Sequence, residues 1–372
     1  MSVPLVDLSW QQREIAAEVA EGFERVVASG AFILGPDVAA FEAEFASYCG
    51  LPHCVGVANG TDALELILRA LEIGRGDEVI VPACTFVASA LAVLRCGATP
   101  VFVDVDAVHH LIDPTRVEEA MGEKTRAILA VDLYGQIAPM EALGALAEAR
   151  GALLVEDAAQ AQGARRGGRR AGAFGAAAGT SFYPAKNLGA YGDAGAVTSA
   201  SEDLAERVRR LGNYGSVHKY HHPEAGFNSR LDTLQAIVLR AKLRRLDAWN
   251  ALRREAATRY DALLAGLEGV SRPATLEGNE HVWHLYVVRV AERDRVLEAL
   301  RGQGIGAGVH YPHPLHLQGV FDPLGHRPGD FPVAERAAEQ VLSLPLFPGI
   351  TASQQERVAE ALEKALCGGR SR

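Results

Sequence analysis

One lysine of this sequence has a setting that surface lysines rarely have. Lys186 stands in the segment Thr180–Ala196, among small and aromatic residues, and Gly-rich turns follow it. Because surface lysines usually have polar neighbours, this setting predicts a buried amine with a lowered pKa, the state that forms imines with carbonyl compounds. A lone lysine of this kind is more often structural, so other residues must decide between the two interpretations.

A second segment, Leu153–Gln160, is an apolar run that ends in two carboxylates and then an amide. Ligands of open α/β sheets bind beyond the carboxyl ends of the strands. Asp157 at such an end can pair with a protonated ring nitrogen, and Gln160, three residues later, can reach a neighbouring oxygen of the same ring. A helix cap is an equally good interpretation of Asp157 taken alone.

The segment Ala58–Glu65 predicts the start of a helix, because Asp62 and Glu65 have the spacing of a capping box. Gly60 permits close approach of the backbone, and Thr61 offers a hydroxyl. The free N–H groups and the dipole of a helix start favour a phosphate. Alone, the motif is more often an ordinary capped helix.

Together the three segments provide a phosphate site, a partner for a ring nitrogen and an amine that can form a Schiff base. This is the set of groups that pyridoxal 5'-phosphate (PLP) requires. The joint match is much more specific than any of its parts, and it predicts a PLP enzyme.

The elements that position these residues follow an α/β pattern. Short β-branched runs alternate with helix-length segments, which predicts a mostly parallel sheet with helices on both faces. The predicted strands are Glu78–Val81, Val101–Asp104, Ala127–Val131, Ala152–Val155, Thr180–Tyr183 and Gly195–Thr198.

The remaining third of the chain predicts a smaller α+β unit. It has a helical stretch from about Leu231 to Leu267, a strand over His284–Val288, and helices near Arg293–Gln303 and Ser353–Leu366. We therefore predict a large α/β domain over residues 1–250, which includes an N-terminal helix, and a small C-terminal α+β domain over residues 251–372.

With these motifs the sequence resembles the DegT/StrS family of nucleotide-sugar aminotransferases. The likeness covers nearly the whole chain, from Val3–Leu8 to Leu342–Pro345. The resemblance implies the fold of a fold type I PLP-dependent aminotransferase. Some members of the family carry a histidine in place of the lysine and dehydrate their substrates, so Lys186 implies amino transfer.

The resemblance also implies roles for single residues. Phe86, in the segment Pro82–Ala88, stacks on the cofactor ring; Asp157 contacts the pyridine nitrogen, and Gln160 contacts the ring hydroxyl. Lys186 is the Schiff-base lysine. The residues implied to hold the phosphate are Gly60, Thr61, Ser181 and, from the other subunit of a homodimer, Asn228.

Two further segments, Asn213–Tyr220 and Leu246–Asn250, resemble the branch that acts on thymidine-diphosphate-linked 3-keto-6-deoxyhexoses in antibiotic sugar pathways. A 4-keto nucleotide sugar is the alternative substrate, and L-glutamate is the expected amino donor. The residues assigned to the sugar nucleotide are Tyr183, Lys219 from the partner subunit, His310, Tyr311 and His316. For the histidines, packing or solvent exposure is the alternative.

Composition and spacing exclude several other classes. Thirty-seven Lys and Arg against 46 Asp and Glu give a net charge of −9, which disfavours binding to nucleic acid. A metal site is not predicted, because Pro312 and Pro314 keep the three histidines at 310, 313 and 316 off one helical face, with no carboxylate or cysteine at ligand spacing. The five cysteines form no C-x-x-C pair, and neither a signal peptide nor a membrane-spanning run is present, so we expect a soluble cytoplasmic protein.

Two rival functions are weaker. A nicotinamide-dependent sugar oxidoreductase would share the α/β pattern, but no G-x-G-x-x-G joins an early strand to a helix. A PLP-binding regulator without turnover would not need both Lys186 and Asp157.

Overall fold

Over residues 2–367, which the computed structural model describes, the chain forms twelve helices and thirteen strands, besides short 3-10 turns. The helices are α1 (Ser9–Ser29), α2 (Pro36–Cys49), α3 (Gly60–Ala70), α4 (Val87–Cys96), α5 (Pro114–Ala120), α6 (Met140–Arg150), α7 (Glu202–Gly212), α8 (Thr233–Leu243), α9 (Leu246–Leu263), α10 (Arg293–Gly302), α11 (Pro332–Gln340) and α12 (Ala352–Cys367). The strands are β1 (His53–Val57), β2 (Glu78–Pro82), β3 (Thr99–Val103), β4 (Thr125–Val131), β5 (Leu153–Asp157), β6 (Arg165–Arg166), β7 (Arg169–Arg170), β8 (Ala177–Ser181), β9 (Gly195–Ser199), β10 (Val270–Ser271), β11 (Asn279–Glu280), β12 (Tyr286–Val290) and β13 (Val341–Leu344).

The central sheet has seven strands in the order β1-β9-β8-β5-β4-β2-β3. All of them run parallel except β9, which pairs antiparallel with both of its neighbours. The prediction of a mostly parallel sheet flanked by helices is confirmed. Because the strands share one direction, the carboxyl ends of β4, β5 and β8 meet at one edge, and the loops that follow them converge there.

Both faces of this sheet are buried, which explains the continuous apolar runs of its strands. Val79 and Val81 pack into the cluster that contains α3, α4 and α7, whereas Ile80 between them packs into the opposite cluster, with α6. The alternation follows from the twofold period of a strand.

The C-terminal part of the chain builds a second, smaller layer. The strands β10, β12 and β13 form an antiparallel sheet, and α9, α10 and α12 contribute to the apolar cluster on it. Val3 from the other end of the chain joins the same cluster. The predicted domain boundary between residues 250 and 251 falls inside the continuous helix α9. The division into two domains at this position stays a prediction.

The helical stretch predicted from about Leu231 to Leu267 contains two helices, α8 and α9, because the chain turns between Leu243 and Leu246. Two other local predictions were wrong in detail. The strand at 180–183 ends at Ser181. The capping box is absent, since the N-cap of α3 is Asn59, while Glu65 faces Arg69 and Arg95 instead.

The basic segment 165–170 is the hairpin β6–β7, with Gly167 and Gly168 at its tip in the left-handed region. Within residues 2–367 we find no helix that combines the length and the apolar character needed to cross a membrane.

Candidate active site

Asp157 lies at the last position of β5, and the structure buries its side chain. One carboxylate oxygen, Oδ2, accepts a hydrogen bond of 2.7 Å from the Ser89 hydroxyl, and the other accepts one of 3.1 Å from the backbone N–H of Ala159. Burial raises the pKa of the Asp157 carboxyl, while these two donors and the nearby Lys186 ammonium act in the opposite direction. The carboxylate is therefore held in a fixed orientation at the sheet edge.

Lys186 follows β8 in a tight turn, in which its backbone N–H donates to the carbonyl oxygen of Tyr183 at 2.8 Å. Burial lowers the pKa of its amine to about 8, and Asp157 opposes this effect. At neutral pH such an amine is deprotonated far more often than an exposed lysine, so it can act as a nucleophile and as a base. The sequence prediction of a lowered pKa agrees with this environment.

The residue after Lys186 anchors the turn. The Asn187 amide donates to the side-chain oxygen of Asn250 at 2.9 Å and to the carbonyl oxygen of Val282 at 3.0 Å. Its own oxygen lies 3.2 Å from Nδ1 of His284, a buried residue whose pKa is well below the ordinary value because of burial and the nearby Lys186. These contacts tie the lysine turn to α9 and to the strand region of the C-terminal layer.

Gln160 and two aromatic rings line the same edge. The Gln160 side chain accepts a hydrogen bond from the Tyr134 backbone N–H at 2.7 Å and donates to the Tyr311 hydroxyl at 3.0 Å. The ring of Tyr311 lies 5.4 Å from that of Phe86, which is 50% exposed. Half of the Phe86 side chain is thus accessible to a ligand.

His310 adjoins this group. Its Nδ1 lies 2.8 Å from the Ser343 hydroxyl, and its carbonyl oxygen accepts a hydrogen bond from the Tyr134 hydroxyl. Burial, together with the nearby Lys186, lowers the pKa of His310 to about 4, so the imidazole is neutral at physiological pH.

The start of α3 forms a cradle beside Ser181. The Asn59 side chain caps the N–H of Asp62 at 2.8 Å, and among the residues described the N–H groups of Gly60 and Thr61 have no hydrogen-bond acceptor. A Cβ added to Gly60 would lie 2.7 Å from Cβ of Ser181, so only glycine allows this approach. Free N–H groups at a helix start beside a hydroxyl suit a phosphate.

Behind Asp157 lies a buried pair of carboxyl groups, Asp132 and Glu156. Glu156 accepts hydrogen bonds from the N–H groups of Gly172 at 2.8 Å and Phe174 at 2.9 Å. Burial, together with the nearby Glu156 charge, raises the pKa of Asp132, whose Oδ2 has no hydrogen-bond partner among the described residues.

The residues described so far fit PLP. The unpaired N–H groups of α3 and Ser181 would hold its phosphate, Asp157 its ring nitrogen and Gln160 its ring hydroxyl, and Lys186 would supply the amine. The fit rests on two observations. Gly60 leaves space beside Ser181, and the buried Asp157 carboxylate interacts electrostatically with the Lys186 amine.

Three predicted site residues lie on the surface of the chain. Tyr183, 56% exposed, stands beside the lysine turn. Lys219 and Asn228 are exposed on the segment that follows α7. Next to Asn228, the Ser229 hydroxyl donates to Asp62 at 2.8 Å, so this segment contacts α3 of its own chain.

His316 requires a correction, because the structure does not bring it to the site. Its side chain is fully buried, its Nε2 lies 3.0 Å from the Glu335 carboxylate, and its ring packs on Phe331 at 4.6 Å. A buried imidazole in these contacts cannot meet a sugar without repacking. The packing alternative is the correct one here.

Sequence reasoning missed Ser89, Tyr134 and His284. Tyr134 follows β4 in the segment Val131–Gln136, which is a strand end of the same kind as Leu153–Gln160, and this signal was present. Ser89 and His284 had no such signal, because their contacts with Asp157 and Asn187 join segments far apart in the chain. Within residues 2–367 no group of three or more His, Cys, Asp or Glu side chains could hold a metal ion.

Comparison with known proteins gives a consistent picture. A model of the DegT/DnrJ/EryC1/StrS aminotransferase family matches residues 13–363. The dTDP-3-amino-3,4,6-trideoxy-alpha-D-glucose transaminase of Streptomyces venezuelae is 49% identical over 362 residues, 97% of this chain and 96% of the relative. The erythromycin biosynthesis sensory transduction protein EryC1 of Saccharopolyspora erythraea is 49% identical over 363 residues, 98% of this chain and 99% of the relative.

Solved structures agree. The crystal structure of S. venezuelae DesV in complex with a ketimine intermediate has a TM-score of 0.95 to this chain at 49% identity and covers 98% of each chain. Two more distant relatives, solved in a PLP form and with the bound cofactor PMP, have TM-scores of 0.90 and 0.86 at 28% and 31% identity.

Proposed function

The chain belongs to the DegT/DnrJ/EryC1/StrS family of aminotransferases, and from this premise we propose that it moves an amino group from L-glutamate to the 3-keto group of a dTDP-linked 6-deoxyhexose. It is a nucleotide-sugar aminotransferase, and its cofactor is PLP. The observation that carries the proposal is the Lys186 amine in the field of the buried Asp157 carboxylate, at the sheet edge where α3 forms its cradle. The position of the amino group in the S. venezuelae relative, at carbon 3, supports the choice of the 3-keto sugar.

PLP, when bound, supplies a protonated ring that takes up the electron pair released as a C–H bond of the amino substrate breaks. Asp157 keeps that ring nitrogen protonated. An opposite charge about 4 Å away is worth about 4 kcal/mol at an effective dielectric constant near 20. Gln160 and the exposed ring of Phe86 would orient the cofactor ring, and the N–H groups of Gly60 and Thr61 would hold the phosphate.

Lys186 moves the protons. In the first half of the reaction its Nζ would take the proton from the α-carbon of L-glutamate. The amino group stays with the cofactor, water supplies the keto oxygen, and 2-oxoglutarate leaves. In the second half the same Nζ gives a proton to the carbon of the sugar that receives the amino group. Because the two substrates use one site in turn, we expect ping-pong kinetics.

The sugar nucleotide needs recognition beyond the cofactor. Tyr183 is exposed beside Lys186, and Tyr311, which follows His310, contacts Phe86 and Gln160. The neutral His310 and the Tyr311 hydroxyl offer hydrogen bonds to sugar hydroxyls, and Lys219 offers a positive charge to the diphosphate of a partner subunit.

The direct test is an assay of purified protein with L-glutamate against matched 3-keto and 4-keto dTDP-hexoses. We expect the 3-keto sugar to be aminated with at least about tenfold higher kcat/KM, a difference of about 1.4 kcal/mol. Preference for the 4-keto sugar would contradict the position that we propose. Bound PLP without turnover of any nucleotide sugar would favour a regulator.

We also propose that two chains share each active site, with Asn228 reaching the phosphate in the other subunit of a homodimer. This can be tested with two inactive variants, Lys186→Ala and Asn228→Asp, of which the second sets a negative charge against the phosphate. Each site would take Lys186 from one chain and Asn228 from the other. In a mixed dimer one site therefore contains both substitutions, and the other site contains neither. Random reassembly of equal amounts makes about half of the dimers mixed, so about a quarter of all sites should regain activity.

The outcome distinguishes this arrangement from its alternative. If Asn228 served its own chain, as the contact of Ser229 with α3 would allow, every site of a mixed dimer would carry one change. Co-refolding would then restore nothing beyond the residual rates of the two variants.

The cytoplasm is the location that we propose, and a deoxyamino sugar of an antibiotic is the product class. The four buried cysteines and Cys367 are free thiols, which is consistent with a reducing compartment. Fractionation of the native host would test the location.

A further inference from the structure

Two buried hydroxyl groups at the start of α4, one just before the helix and one in its first turn, lead to Asp157. Ser89 and Thr85 are 1% and 3% exposed, and their hydroxyl oxygens lie 3.1 Å apart. The Ser89 hydroxyl donates to Oδ2 of Asp157 at 2.7 Å. No segment of the sequence pattern links these residues to Asp157, which lies 68 positions after Ser89.

Proton counting gives this chain of hydroxyls a direction. A serine hydroxyl has one proton, and Ser89 uses it on Asp157. Thr85 must then be the donor in its contact with Ser89. Hydrogen bonds aligned in series toward a negative charge polarise and strengthen one another, so Thr85 reinforces the bond from Ser89 to the carboxylate.

The same turn positions the aromatic ring. Phe86 is the N-cap of α4, between Thr85 and Ser89 in the sequence, and its side chain is 50% exposed. One helix turn therefore fixes both the surface on which the cofactor ring stacks and the carboxylate that meets the ring nitrogen. A shift of Asp157 relative to that surface would misalign the two.

Asp157 needs such donors because few of its other neighbours stabilise the ionised form of its carboxylate. Among residues 2–367, Lys186 is the one cation that acts on its charge, and the Asp157 charge disfavours ionisation of the nearby acids Asp132 and Tyr311. Of its two hydrogen-bond donors, the N–H of Ala159 belongs to the chain segment directly after Asp157, so Ser89 is the one that ties it to another element.

We propose that Ser89 is a positioning residue for the reaction: its hydroxyl, backed by Thr85, keeps Asp157 ionised and aimed at the cofactor ring. The proposal rests on the proposed function, because it assigns Asp157 to the ring nitrogen. Ser89 itself touches neither cofactor nor substrate.

The test measures the dissociation constant of PLP against pH for the wild-type protein and for Ser89→Ala, Thr85→Val and Asp157→Asn. Loss of the Ser89 donor destabilises the ionised carboxylate, so the pKa of Asp157 rises and the loss of affinity on acidification begins at higher pH. We expect the Ser89→Ala curve to move up by about one pH unit, with about tenfold weaker binding at neutral pH. Thr85→Val should move it in the same direction by less, and Asp157→Asn should lack this transition.

A matched control separates this role from a structural one. Ser199 is also a buried serine, 2% exposed, but its hydroxyl donates to the carbonyl oxygen of Ala176, away from Asp157. Ser199→Ala should leave the PLP curve at its wild-type position. Circular dichroism melting of each variant gives its stability.

The proposal is overturned if Ser89→Ala leaves the curve within about 0.3 pH unit of wild type, or if it weakens PLP binding equally at every pH, as a merely structural role would. In that case the proposed function stands, provided that the wild-type protein binds PLP and transaminates. A wild-type protein that does not bind PLP would overturn both.

Discussion

Replacing Lys186 by alanine is expected to lower the rate of amino transfer by at least about 10⁴-fold while leaving the fold intact. The reaction needs this amine twice, to form the bond with the cofactor and to carry the proton between carbon atoms, and each role is worth orders of magnitude. The amine is half-buried with a pKa of about 8, and no other lysine lies in the segment Thr180–Ala196. Turnover is measured with L-glutamate and the keto sugar after free PLP has been removed.

Lys242 provides a matched control for this variant. Lys242 is buried, whereas Lys186 is half-buried, and burial lowers the pKa of its amine to the same value, about 8. The Lys242 amine lies 5.4 Å from the centre of the Tyr191 ring and has no hydrogen-bond partner among the described residues. If a buried amine alone were enough, the two lysines would be equivalent. We expect Lys242→Met to keep activity within about threefold of wild type, and wild-type turnover by Lys186→Ala would refute the role of Lys186.

Replacing Asp157 by asparagine is expected to lower the rate by about 100-fold or more while the cofactor still binds. Asparagine keeps the shape of the side chain, and its carbonyl oxygen still accepts a hydrogen bond, from Ser89 or from Ala159. It lacks the negative charge, whose interaction with the protonated ring is worth about 4 kcal/mol at about 4 Å and an effective dielectric constant near 20.

The measurement is the single-turnover rate with L-glutamate, followed through the absorbance of the bound cofactor. This half of the reaction needs no sugar, so it tests Asp157 independently of the substrate that we propose. A rate within about threefold of wild type, a loss of less than about 0.7 kcal/mol, would show that the charge of Asp157 does not stabilise the reaction.

The comparison of EryC1 with the transaminase from S. venezuelae shows why these variants matter. Each is 49% identical to this chain, yet one is named a sensory transduction protein and the other an enzyme. The lysine and aspartate variants measure catalysis itself, and catalysis is the property that separates an enzyme from a regulator with the same fold.

The sequence by itself determined the sheet and singled out Asp157 and Lys186 as candidates for the site. Fully apolar strands that end in polar residues dictate a parallel sheet with one functional edge, because both faces must be buried and all carboxyl ends then meet. Asp157 at the end of β5 and Lys186 in an apolar segment could be read from local pattern alone. Local pattern was less reliable for helix ends, where Asn59 replaced the predicted cap.

Only the tertiary structure decided how these residues are supported and which candidates are excluded. His316 occurs in a polar aromatic segment that suits a binding loop, yet packing against Phe331 and Glu335 buries it. Ser89 looks like an ordinary helix residue, yet it holds Asp157. The physical reason is that burial and hydrogen bonds between distant segments depend on where the chain brings two elements together, and periodicity within one segment carries no information about that.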